Sequence, residues 1–134
     1  MDSTMQRIAL LLSLLLFGGC QSLSTHRIRA ENHDDMTLAI SHRIPTGTSL
    51  ITARKTMEDA GFECDLLTSA SFSEDPGYIG DEREYKSIRN ARYLSCRRIE
   101  SAGFLVSHIW SVAIVIDEED HVEDVLVLHR MDGP

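Results

Sequence analysis

Three cysteines, six histidines and an excess of carboxylates are the side chains of this 134-residue chain that could do chemistry. Cys20 stands apart, at the end of an apolar leader, where its sulfur could take a lipid. Cys64 and Cys96 remain as a pair. In an oxidising compartment such a pair forms a disulfide; the alternative is two buried free thiols. The bond would close a loop of roughly 30 residues and stabilise by about 3–4 kcal/mol in the chain-entropy model. The two are not in a C-x-x-C arrangement, which argues against redox catalysis.

The histidines are His26, His33, His42, His108, His121 and His129. No pair has the i, i+4 helical spacing of a zinc site. His108 shares a strand face with Trp110 and reads as a core or edge histidine. Asp117-Glu118-Glu119-Asp120 lacks the spaced ligands, turn glycine and terminal Glu of a calcium loop. It reads as a solvated turn. No G-x-S-x-G elbow, P-loop or Rossmann fingerprint is present. Nothing in the sequence sets a base beside a nucleophile. The expectation is a non-enzymatic protein with no catalytic residues, no metal and no cofactor.

The leader decides the compartment. Ile8 to Phe17 is an apolar run of about ten residues, long enough for a signal peptide and short of the roughly 20 that a spanning helix needs. Phe17-Gly18-Gly19-Cys20 has the pattern of a bacterial lipobox, small residues before a cysteine. In that reading residues 1–19 are removed and Cys20 carries diacylglycerol and an acylated amino terminus. Several acyl chains hold a protein on a bilayer firmly, where one gives only marginal binding. An ordinary secretory peptide and a retained anchor are the other readings of the same run.

The net charge of −8 argues against nucleic acid and against electrostatic docking on anionic lipid. The expected partners are the membrane, through the lipid on Cys20, and an envelope protein. No small-molecule substrate is identified. The expected location is the bacterial cell envelope, at the outer membrane and facing the periplasm.

These groups need elements to position them. Residues 20–33 are polar and aperiodic and read as a flexible tether. Asp34 and Asp35 suit a first helical turn, with Met36, Ala39 and Ile40 on one face. Pro45 and Gly47 break the chain. A second helix follows. Thr48 or Ser49 caps it, and Leu50, Ala53, Met57 and Ala60 form one apolar stripe. Gly61 ends it, and Phe62 packs back on the end. Leu67 to Glu84 reads as a long exposed loop. Its aromatics Phe72 and Tyr78 read either as local packing or as a partner contact, and Trp110 is a third candidate contact.

Three strands are predicted after the loop. Ser87–Ile99 puts Tyr93 and Ile99 on one face and Leu94 and Cys96 on the other. Phe104–Asp117 puts Phe104, Val106, His108, Trp110, Val112, Ile114 and Ile116 on one face. His121–Arg130 sets Val122, Leu126 and Leu128 opposite Val125 and Val127. Short turns make an antiparallel meander. The predicted fold is α+β over residues 34–134: one or two N-terminal helices packed on a three-stranded antiparallel sheet.

Several of these motifs resemble the SmpA/OmlA domain, a BamE-like outer-membrane lipoprotein fold shared in architecture with β-lactamase-inhibitor proteins. Ile44, Gly47 and Ser49 match the family's I-x-x-G-x-S/T helix entry. Trp110 lies on a late strand, and Asp117, Asp120 and Val122 match its Asp-x-x-Gly-x-Val turn, with Asp120 in the glycine position. The resemblance covers roughly Asp34 to Arg130. It implies an interaction module in outer-membrane or cell-envelope assembly.

Overall fold

A computed structural model describes residues 27–134. The expected signal leader, Cys20 and the first half of the expected tether lie outside the described residues. The elements are α1 (His33–Arg43), α2 (Leu50–Asp59), β1 (Glu63–Ser73), β2 (Ser87–Gly103), β3 (Val106–Ile116) and β4 (Val122–Asp132). Among the described residues no helix is long and apolar enough to cross a membrane.

Local chemistry sets both helix starts. The Asn32 side chain accepts from the Asp35 N–H, with Asp34 and Asp35 in the first turn and His42 and Arg43 in the last. Met36 and Ile40 are the buried residues of α1. Ser49 caps α2 by accepting from the Thr52 N–H. Gly61 adopts φ +93°, which ends α2 in a left-handed residue. The Gly61 N–H then bonds to the Glu58 carbonyl, and the Phe62 N–H to the Met57 carbonyl, both at 3.0 Å.

The sheet has four antiparallel strands in the order β1-β2-β3-β4, one more than the three expected. The added strand, β1, occupies the first half of what the sequence reads as a loop. It is an outer strand with little burial, and Ser69 takes φ +53°, which breaks the period-two alternation. Register shifts flank Ala70. A bulged, exposed strand leaves no hydrophobic period to detect. Cys64 sits directly opposite Cys96 in the β1–β2 register, and a disulfide joins them.

The helices cover one sheet face, over Leu94, Cys96, Trp110, Val112, Ile114 and Ile116. The other face holds a smaller cluster of Tyr93, Ala113 and Leu126, with Phe72 and Ile88 packed against it. Val122 joins Val125 and Val127 on the helix face, not Leu126 as expected. The cause is a register shift: Ile116 pairs with Val122 while Val115 pairs with Asp124, so Glu123 is an extra residue that reverses the alternation. Phe104 is not in β3. It sits in the β2–β3 turn and is exposed. Asp120 adopts φ +63°, the left-handed conformation that glycine takes most freely.

The tether does not extend to His33. Ile28 is buried in the main cluster. Arg98, itself buried, donates from Nη1 to the Ala60 carbonyl and from Nη2 to the Ile28 carbonyl, both at 2.8 Å. Its guanidinium lies 4.7 Å from the Phe62 ring centre and 2.6 Å from Glu100 Oε1. One side chain therefore clips the N-terminal segment to the end of α2 and to β2. Burial lowers the Arg98 pKa, with Glu100 opposing that shift and Arg27 adding to it.

Candidate functional site

The exposed stretch is shorter than expected, residues 74–86, and joins β1 to β2. Its first residue, Glu74, does not point to solvent. Its carboxylate accepts from the Val127 N–H at 2.8 Å and from the Lys86 N–H at 3.3 Å. This bond satisfies a backbone donor on β4, the outer strand at the far side of the sheet. An inward carboxylate at that point blocks the edge against further strand pairing. Glu74 also meets His33 Nε2 at 3.1 Å, so the loop is fastened to the start of α1.

A cleft of about 420 Å³ lies between this loop, the start of α1 and β4. Asn32, His33 and Glu74 line its inner side with His129, and Tyr78, Ile79, Arg83 and Tyr85 contribute from the loop. Gly77 and Gly80 both take positive φ, which lets the loop turn sharply around Tyr78 and Ile79. Tyr78 is 55% exposed, and Ile79 is fully exposed. The two side chains stand outward at the rim of the cleft.

The electrostatics divide the inner wall into two histidine environments. Both His33 ring nitrogens face carboxylate oxygens, Asp34 Oδ1 at 2.9 Å and Glu74 Oε2 at 3.1 Å. Burial works against the His33 charge, but the bonds and charges of Asp34 and Glu74 outweigh it and raise its pKa. The doubly protonated imidazolium satisfies both acceptors. His129 is the opposite case. Burial lowers its pKa, helped by His108 and His33. Its Nε2 lies 2.7 Å from His108 Nδ1, and its ring stacks on Trp110 at 4.0 Å. A neutral ring suits that stack. Tyr85 sits edge-on to His33 and donates to Asp81.

The candidate residues separate cleanly. Cys20 lies outside the described residues. Trp110 is 1% exposed, stacked under His129 and His108, so it is a core residue and meets no partner. This corrects its assignment as a contact. Phe72 packs edge-on against Tyr93 at 6.0 Å, the local-packing reading. Tyr78 alone of the three stands at a surface suited to a partner. His33, Glu74, His129 and Ile79 are site residues that the sequence did not mark. His33 lay in the presumed tether and Glu74 in a serine-rich run, and only the fold brings them together.

The arrangement has an acid–base pair but no nucleophile beside it. The Glu74 oxygens are already occupied by two backbone donors and a histidine. Among the described residues no cluster of three or more His, Cys, Asp or Glu side chains is placed to hold a metal ion. No family model, curated protein or solved structure matches the chain.

Proposed function

We propose that this chain is a lipid-anchored, periplasm-facing binding module of the bacterial cell envelope, without catalytic chemistry of its own. It meets a protein partner through the loop 74–86. The observation that carries this reading is the placement of Tyr78 and Ile79, held outward by two turn glycines at the rim of a cleft whose inner side is fixed by the His33–Glu74 contact. Exposed aromatic and aliphatic side chains at a preformed cleft are the usual anchors of an interface. The hydrogen bonds of Glu74 favour binding over catalysis, because a general base needs a free lone pair aimed at its substrate.

Membrane attachment in this reading falls to Cys20, and a role in outer-membrane assembly follows from the SmpA/OmlA-like motifs at Ile44–Ser49 and Asp117–Val122. Cells fed labelled palmitate test the anchor. The wild-type chain should carry label and Cys20→Ser should not. An unlabelled wild type would replace the anchored module with a secreted, soluble binder.

A further inference from the structure

Two histidines and a methionine meet across β3 and β4. His108 pairs with Met131 in the register of the two strands, and Trp110 pairs with His129. Residues directly opposite each other in an antiparallel ladder share a face, as do alternate residues of one strand. His108, His129 and Met131 therefore stand together on the face that holds Trp110. Both imidazoles are half-buried, and Met131 is 56% exposed. The three come from two strands, so neither helical nor C-x-x-C spacing reveals them in the sequence.

The two rings lie edge to edge. His108 Nδ1 is 2.7 Å from His129 Nε2, with the ring centres 5.0 Å apart and the planes 17° apart. His129 lies face to face on Trp110 at 4.0 Å, with 11° between those planes. The two nitrogens thus aim at one point, in one layer over a buried indole. One proton between them makes a hydrogen bond. A metal ion can take the place of that proton, which then moves to the far nitrogen of its own ring. Imidazole nitrogens bind at about 2.0–2.1 Å, so two of them on one tetrahedral ion stand roughly 3.3 Å apart. The pair opens by less than about 1 Å to admit the ion. Directly opposite residues have Cβ atoms about 4.5–5.5 Å apart, which brings the Met131 thioether within reach of the same point.

Charge and ligand type select the ion. Glu100 pairs with His108 from β2, but its carboxylate is taken by Arg98 at 2.6 Å and by Arg27 at 3.6 Å. Glu74, which lines the cleft with His129, is held by two backbone donors and His33. Neither carboxylate is free to neutralise a divalent ion. Zinc takes thiolate, imidazole and carboxylate ligands. Two imidazoles and a thioether, all uncharged, suit the soft monovalent ion copper(I).

We infer that His108, His129 and Met131 form a copper(I) site, with two ring nitrogens and the thioether sulfur as ligands. The site requires neither the lipid on Cys20 nor a protein partner, so it stands or falls apart from the binding role proposed above. His129 also lines the cleft, so the ion and the cleft share one wall.

Trp110 is the only tryptophan, and its stack on His129 makes it a direct reporter of the ion. The test uses the full chain carrying Cys20→Ser, which removes the one cysteine outside the disulfide. Copper(I) is supplied without oxygen, kept reduced by ascorbate, and bicinchoninate competes for it. The chain should withdraw one copper(I) per molecule from the chelator and lose most of its Trp110 emission. His108→Gln and His129→Gln should each abolish that quenching. Met131 is exposed, so Met131→Leu leaves the fold intact and carries the decisive comparison. It should weaken copper(I) by at least about tenfold and leave the weaker binding of zinc(II) unchanged. Emission that copper(I) does not change overturns the inference. So does quenching that survives both histidine substitutions, because the ion is then bound elsewhere. Equal copper(I) affinity in Met131→Leu, or zinc(II) bound as tightly as copper(I), overturns it as well, because the site is then not a soft one.

Discussion

The double variant Cys64→Ala/Cys96→Ala is expected to melt roughly 12–32 °C below the wild type. The bond spans 32 residues and joins the outer strand β1 to β2. Closing a loop of that size removes about 3–4 kcal/mol of conformational entropy from the unfolded chain. Each kcal/mol shifts the melting temperature of a domain this size by roughly 4–8 °C. Besides this bond, β1 is held chiefly by its ladder to β2. It is mostly exposed, bulged at Ser69, and its outer edge is touched chiefly by Arg54, which donates to the Cys64 carbonyl at 2.9 Å. Calorimetry of the variant, and of the wild type with reductant, should give the same loss. Two titratable thiols in the unreduced, denatured wild type would contradict the bond.

Glu74→Leu is expected to cost about 2–4 kcal/mol. It would leave the Val127 N–H buried without an acceptor and His33 without its inner carboxylate; stranding such groups costs about 1–3 kcal/mol, more where a charge is involved. Chemical denaturation measures the loss, and a variant as stable as the wild type would show that the loop is not fastened at this point. The same pair makes stability depend on pH. His33 has a raised folded pKa, so its contribution is full below 6.5 and is lost as pH rises through the folded value. His129 has a lowered folded pKa, so its contribution is full above 6.5 and is lost as pH falls toward the folded value. The two histidines therefore act on opposite sides of pH 6.5. His33→Gln should flatten the alkaline limb, and His129→Gln the acid limb.

Much of the frame was legible before any coordinates. The α2 stripe of Ala53, Met57 and Ala60, its Ser49 cap and its Gly61 stop are local signals, and local signals survive folding. So do the faces of β2, where Leu94 and Cys96 turn inward to the helices while Tyr93 packs on the other side. The strand failures share one cause. β1 and the start of β4 are bulged, so one extra residue reverses the alternation on which strand reading depends. Ile28 was read as tether because a lone apolar residue in a polar stretch has no period, and its burial depends on Arg98, 70 residues away. The cleft was illegible for the same reason. His33, Glu74 and His129 are each unremarkable in sequence and meet only through α1, the loop and β4. Trp110 misled in the other direction: a strand tryptophan suggests a contact, but its ring is covered by His129 on the neighbouring strand and by His108 two residues away on its own.

The most direct test of a binding role is photo-crosslinking in intact cells, with a photoreactive phenylalanine analogue in place of Tyr78. Ile51 is the control. It is 82% exposed on α2, away from the cleft. The account predicts a discrete adduct of defined mass from position 78 and none from 51. No adduct at 78, or the same adducts from both positions, would contradict it.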